Sequence, residues 1–294
     1  MRLNDNMRGA ALMTGCVSAY VINDAFMKFL FSEIALFQAV FLRSIITVPP
    51  ALLMVWVTKV TLRNLAKQDI RLIWLRVGAE ICTTIAFLTA LKYMPLANVT
   101  AILQALPLAV TMAAALFLAE PIGWRRWSAI LVGFMGVLIV VRPGLDGFNV
   151  YSLSAVAAII FITVREIATR KLAQEVPTIT VVLSTAIGSA VFAGIMMVGA
   201  EWHAVSTSSW LLLIGAAFAV LIATLLSVMA MRTGEIGFVS PFRYTSMLGA
   251  IGLGILMFGE WPDQPTLAGT LIIVMTGIYT FHREQKISRG ATAS

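Results

Sequence analysis

The sequence predicts an all-α polytopic membrane protein of ten transmembrane helices, built as a five-plus-five inverted-topology repeat with both termini cytoplasmic. Three observations carry that prediction. First, 60% of the 294 residues are hydrophobic and only 12% are charged, against ~25% charged in an average soluble protein; the mean hydropathy is +0.92. Second, cutting the chain at charged and turn-like residues leaves apolar segments near the ~20 residues that a helix needs to cross a hydrocarbon core. Third, charged residues inside those segments recur at matching places in the two halves of the chain.

The first segment, 9–30, contains Asp24 and Lys28, one helical turn apart. These charges stand where a secretory leader would carry small residues for cleavage, so the segment reads as a retained helix. The second, 34–57, holds Arg43, Pro49 and Pro50, and the third, 72–91, holds Arg76 and Glu80 at a spacing that lets them pair along one face. In the fourth, 96–118, Gln104 and Pro107 interrupt an apolar run, and Ala101, Ala105, Ala109 and Ala113 form a small-residue row suited to close packing. The fifth, 126–141, has no charge in its apolar core. The sixth, 151–169, carries Arg165 and Glu166, with Arg170 just beyond it. Segments 178–199 and 208–230 are uncharged. The ninth, 237–258, holds Pro241, Arg243 and Tyr244, and the tenth, 265–281, is again free of charge.

With an N-terminus inside, the inner connections and tails hold most of the basic residues, among them Arg2, Arg8, Lys59, Arg63, Lys67, Arg71, Arg125, Arg126, Arg170, Lys171 and Arg232. The outer ones hold Lys92 and Arg142. That asymmetry is the positive-inside pattern, and it explains the net charge of +7 without nucleic acid, because the basic residues are scattered over short loops.

Laying the second half on the first at an offset of about 140 brings Lys92 onto Arg232 and Glu120 onto Glu260; at 142, Asp24 and Lys28 meet Glu166 and Arg170. Five spans per repeat is odd, so the two halves run in opposite directions, as in many secondary transporters. The boundaries expected are 1–147 for the first repeat and 148–294 for the second. Residues 90–144, "ALKYMPLANVTAILQALPLAVTMAAALFLAEPIGWRRWSAILVGFMGVLIVVRPG", resemble the first-repeat signature of the drug/metabolite transporter (DMT) superfamily, EamA type. Residues 240–284 are similar to its second-repeat counterpart. The resemblance implies a central cavity lined by helices 1 to 4 and 6 to 9, with helices 5 and 10 peripheral. Within the superfamily it points to YddG-type exporters of aromatic and other neutral amino acids. The segment "PFRYT" at 241–245 is similar to that of S-adenosylmethionine uptake carriers.

An ionisable group at membrane depth costs about 2.5–3.5 kcal/mol on insertion scales, so it faces a partner or water rather than lipid. Two readings of these groups stand side by side. The charges neutralise each other near helix ends, where Lys and Arg snorkel, or they line a transport path. On the second reading a zwitterionic amino acid needs a guanidinium for its carboxylate, an acceptor for its ammonium and an apolar wall. The substrate-binding candidates are Tyr20, Arg43, Arg76, Glu80, Gln104, Arg243 and Tyr244; the gating candidates are Asp24, Lys28, Arg165, Glu166 and Arg170. Glu120 and Glu260 are read as hinges or caps. Cys16 and Cys82 lie apart in apolar spans and suggest neither metal nor disulfide.

The expectation is therefore a secondary transporter of the bacterial inner membrane, exporting amino acids by alternating access, with no cofactor and with a small-molecule substrate and the lipid bilayer as its partners. The alternatives are uptake of another small metabolite such as S-adenosylmethionine, and a polytopic membrane enzyme. The chain has no H-E-x-x-H, G-x-S-x-G or Walker segment to favour the enzyme.

Overall fold

The computed structural model describes residues 2–59, 65–117, 123–145, 148–233 and 239–291, and its regular structure over them is helical. The helices are α1 (Arg2–Leu30), α2 (Leu36–Thr58), α3 (Lys67–Tyr93), α4 (Leu96–Leu103), α5 (Leu106–Phe117), α6 (Trp124–Val141), α7 (Tyr151–Lys171), α8 (Thr178–Met196) and α9 (Thr207–Arg232). A 3-10 turn at Ser240–Tyr244 follows, then α10 (Thr245–Phe258) and α11 (Gln264–Ala291). Among the described residues, seven helical stretches are long and apolar enough to cross a membrane, and Trp127–Val141 and Gln264–Tyr279 are shorter apolar helices. Glu120 lies outside the described residues.

The fourth expected span is two helices. Pro107 has no N–H to give to the carbonyl of Leu103 and its ring crowds that carbonyl, so α4 ends at Leu103 and α5 starts at Leu106. Gln104 stands in the break. Pro241 falls in the 3-10 turn that opens α10, so the ninth span is irregular at its start. Pro49 and Pro50, by contrast, lie within a continuous α2.

The helices pair in a regular way. α1 packs along α9 and α3 along α7, while α2 packs along α8, α4 along α10 and α6 along α11. Outward-facing positions remain apolar: Leu131, Met135 and Leu138 on α6 and Leu267, Leu271 and Met275 on α11 are exposed, as expected of surfaces solvated by lipid tails. Exposed Trp56, Trp74, Trp124, Trp202 and Trp261 lie at or near helix ends, in the manner of interfacial anchors. Outside the cavity, Gln38 ties α2 to the α8–α9 connection: its amide nitrogen donates to the His203 carbonyl (2.7 Å) and its amide oxygen accepts from the His203 N–H (3.0 Å).

α6 and α11 cross closely because glycines face one another. A methyl group on Gly136 would stand 2.8 Å from the Gly269 carbonyl oxygen, and one on Gly269 would stand 2.6 Å from the Gly136 carbonyl oxygen. Backbone cannot yield as a side chain can, so the helices would have to separate; overpacking of this kind costs about 1–3 kcal/mol. Arg142 at the end of α6 also ion-pairs with Asp263 just before α11. Gly136→Ala and Gly269→Ala should each lower the thermal unfolding temperature of the detergent-purified protein by several degrees, whereas Gly252→Ala, with nothing near its added carbon, should not. Equal melting curves for all three would remove the close crossing as a constraint.

Candidate functional site

A cavity of about 890 Å³, counting the space continuous with its mouth, opens among α1, α2, α3, α4, α5, α7, α9 and α10. Its apolar wall includes Val17, Val21, Phe87, Leu88, Leu103 and Ile162, and its polar wall includes Asn23, Asp24, Arg43, Glu80, Gln104, Arg165, Arg243 and Ser246. Among the described residues α6 and α11 contribute none of its lining, as expected of peripheral fifth and tenth spans. A smaller space of about 410 Å³ adjoins it, sharing Arg43, Glu80, Thr84 and Val220 and reaching α8 through Val182, Thr185, Ala186 and Ser189.

The charges fall into three groups. The first is a ladder of alternating sign. Arg165 donates to Glu80 (2.8 Å) and stands 3.7 Å from Glu166, and Arg243 donates to the same Glu166 oxygen (2.5 Å). Glu80, Arg165 and Glu166 are buried and Arg243 is half-buried, so α3, α7 and the turn before α10 are joined by mutually compensated ions. Isolated, any one of them would carry a large desolvation cost.

The second group lies at another end of the bundle. Lys28 Nζ pairs with Glu260 (2.7 Å) and donates to the Met94 carbonyl (2.6 Å), while Glu260 accepts the backbone N–H of Leu96 (2.9 Å). Lys28 also stands 5.3 Å from the centre of the Phe258 ring, within cation–π range. These contacts latch the end of α1 to the α3–α4 junction and the end of α10. Glu260 therefore acts as a cap, the role expected from the sequence.

The third group faces the cavity and is not closed on itself. Asn23 is 2% exposed; it accepts from Arg43 Nη1 (2.9 Å) and donates to Asp24 (2.9 Å). Arg43 Nε is buried without a hydrogen-bond partner. Among the described residues neither Arg43 nor Asp24 forms a direct ion pair.

Several expectations are corrected by this geometry. Asp24 and Lys28 do not pair, because Asp24 turns into the cavity and Lys28 to the latch. Glu80 pairs across to Arg165 rather than along its helix to Arg76. Arg76 does not line the cavity: 2% exposed, it bonds Thr169 (2.9 Å) and Thr185, tying α3 to α7 and α8. Tyr244 points instead at Gly277 of α11, within the apolar core. Arg170 is exposed at the end of α7, away from the cavity. Tyr20, Arg43, Glu80, Gln104, Arg243, Asp24 and Arg165 do line it, and Glu166 stands behind Arg243. Tyr20 brings its hydroxyl near Thr224 without a hydrogen bond of good geometry. The sequence reading missed Asn23, and it took Ser246, four residues before Ala250 and eight before Gly254, for part of a small-residue packing row, whereas Ser246 lines the cavity. The signal for Asn23 was an amide beside a carboxylate within an apolar span; Ser246 receives a bond from Gln104 (3.2 Å) that spacing alone does not announce.

Residues 7–142 match the model of the EamA-like transporter family. A riboflavin transporter of Vibrio cholerae serotype O1 is 30% identical over 73% of this chain and 72% of its own length. The chain belongs to the EamA-like transporter family. An S-adenosylmethionine uptake transporter of Rickettsia conorii is 26% identical over 67% of this chain and 66% of its own, and the pseudopaline exporter CntI of Pseudomonas aeruginosa is 24% identical over 73% and 76%. A protein of known crystal structure shares the fold, with a TM-score of 0.68 over 94% of this chain and 98% of that one at 17% identity. This is a multi-pass membrane protein of a transporter family. The expected kinship with exporters of aromatic amino acids gains no support from these relatives, which are named for riboflavin, S-adenosylmethionine and pseudopaline.

The latch is partly open to water, with side-chain exposures of 12% for Lys28 and 24% for Glu260. A charge-assisted bond there is worth about 1.5–3 kcal/mol. Lys28→Met and Glu260→Gln should each lower thermal stability, and the double variant should lose clearly less than the sum of the two. Strict additivity would show that the pair is not coupled.

Proposed function

We propose that this chain is a secondary transporter of the bacterial inner membrane that moves a small metabolite with a zwitterionic amino-acid end and an apolar or planar body, by alternating access across ten spans arranged as inverted repeats 1–147 and 148–294. The observation that carries the substrate reading is that Arg43 and Asp24 both open on the cavity without neutralising each other. Arg43 brings a guanidinium to the cavity wall for a carboxylate and Asp24 a carboxylate for an ammonium. Phe87, Leu88, Leu103 and Ile162 supply the apolar wall, and Gln104 and Ser246 further polar contacts.

The repeat reading is supported by the helix pairing. Exchanging the first five spans for the last five turns the α1–α9 contact into the α7–α3 contact and leaves the α2–α8, α4–α10 and α6–α11 contacts unchanged. For the ninth span, the 14 residues of α10 rise ~21 Å and the 5 of the preceding turn about 10 Å more, together close to a ~30 Å core. The family match ending at residue 142 agrees with a boundary near 147.

S-adenosylmethionine has both a zwitterionic end and a planar base, so the name of the Rickettsia relatives favours this class over free aromatic amino acids. Riboflavin, named for the Vibrio relative, has the planar body without the zwitterion and is the competing reading. Direction follows the gradient imposed. The ladder Glu80–Arg165–Glu166–Arg243 and the latch Lys28–Glu260 are the groups proposed to close the two ends.

Reporter fusions after residues 65, 123 and 289 should read as cytoplasmic and those after 146 and 203 as external; an external signal at 289 would sink the ten-span topology. Purified protein in liposomes should take up labelled S-adenosylmethionine, and Arg43→Leu should reduce that uptake at least tenfold while Arg76→Leu, if it folds, changes stability rather than substrate affinity. Transport of riboflavin, insensitive to an excess of S-adenosylmethionine, would replace the zwitterion reading.

A further inference from the structure

We infer that Asn23 holds Arg43 and Asp24 apart and thereby sets the preference for a solute that carries both charges. The inference rests on the zwitterion reading and adds a positioning residue to it. An arginine only donates hydrogen bonds and an ionised carboxylate only accepts them. A group between the two must therefore accept on one side and donate on the other. The Asn23 amide does this with two 2.9 Å bonds, and its orientation follows from its neighbours: turned over, it would set donor against donor and acceptor against acceptor.

The alternative to this arrangement is collapse. In a space of low dielectric a guanidinium and a carboxylate attract strongly and close into a fork-to-fork pair. Such a pair would satisfy both groups in the empty cavity, and a solute would have to break it before binding. With Asn23 interposed, each ion keeps one side-chain bond to the amide, and both residues line the open space. Asn23 is thus the reason that the two handles are available at the same time. Glu80 and Arg165, which share this wall with Arg243, are hydrogen-bonded to each other at 2.8 Å, and Arg243 is bonded to Glu166.

The test compares Asn23→Ala and Asn23→Ser with the unaltered protein in proteoliposomes, using labelled S-adenosylmethionine against three competitors: methionine, its methyl ester, which keeps only the ammonium, and N-acetylmethionine, which keeps only the carboxylate. The unaltered protein should favour methionine over either singly charged analogue by about tenfold or more. Asn23→Ala should raise the KM for S-adenosylmethionine at least tenfold with little change in maximal rate, and should level the three competitors. Asn23→Ser should recover part of the preference, since a hydroxyl both donates and accepts. A merely structural amide would lower the melting temperature and leave the preference as it was. Should Asn23→Ala not accumulate, the isosteric Asn23→Asp carries the test: it cannot donate to Asp24 and itself pairs with Arg43, so it too must lose the preference. Variants that discriminate as the unaltered protein does overturn the role of Asn23 alone; an unaltered protein that does not discriminate overturns the zwitterion reading, and this inference with it.

Discussion

Taking Glu80, Arg165, Glu166 and Arg243 out of water is the cost around which the middle of this protein is arranged. A hydrocarbon core offers no solvent to answer a charge, so each ion has to be met by another part of the chain at hydrogen-bonding distance. Arg165 meets Glu80 from another helix and Glu166 from its own, and Arg243 reaches Glu166 from a turn distant in sequence. The pairing of α3 with α7 and the placement of the turn before α10 are therefore conditions for the ions to be tolerated at all. The irregular turn is part of the solution, since Pro241 sits at its start and Arg243 within it.

Against that compensated ladder, the pair Arg43 and Asp24 stands out as incompletely answered. The protein has the means to neutralise buried charge and uses it elsewhere, down to an arginine satisfied by threonine hydroxyls at Arg76. Arg43 and Asp24 both line the cavity, and among the described residues their side chains are joined only through Asn23, whereas the ions of the ladder bond one another directly. Binding chemistry resides in such indirectly joined ions, because a solute gains from them what the empty cavity lacks.

The all-helical, apolar character of the chain and the breaks at Pro107 and Pro241 were legible in the sequence, because hydropathy and proline act locally; Pro49 and Pro50, expected to interrupt the second span, leave α2 continuous. Partners were not legible. Asp24 with Lys28 and Arg76 with Glu80 have the spacing of helical pairs, yet each of these four residues finds its partner elsewhere: Asp24 at the neighbouring Asn23, Lys28 at Glu260, Arg76 at Thr169 and Thr185, Glu80 at Arg165. An i, i+4 pair is worth only ~0.2–0.5 kcal/mol in a helix, whereas a cross-helix bond in a dry interior is worth more and also fixes the packing, so tertiary contacts override the local rule. Tyr244 was misread for a related reason: its neighbour Arg243 faces the cavity, but adjacent residues on a helical turn point in different directions, and Tyr244 meets the glycine surface of α11 instead.

The two charged groups proposed as closures differ in what separating their ions would require. Lys28 and Glu260 have side-chain exposures of 12% and 24%, so Glu260 in particular lies closer to the outside of the bundle than the ions of the ladder. The ladder has side-chain exposures of 6% for Arg165, 11% for Glu80 and 4% for Glu166, and breaking it without admitting water would strand ions at a cost of about 3–5 kcal/mol. Separation of the ladder would therefore have to coincide with entry of water or with new partners brought by moving helices, and the more exposed Glu260 makes that demand smaller at the latch. On the proposed alternating access, two closures of unequal burial would favour one open state, and a solute held by both Arg43 and Asp24 would shift that balance only through its difference in affinity for the two states.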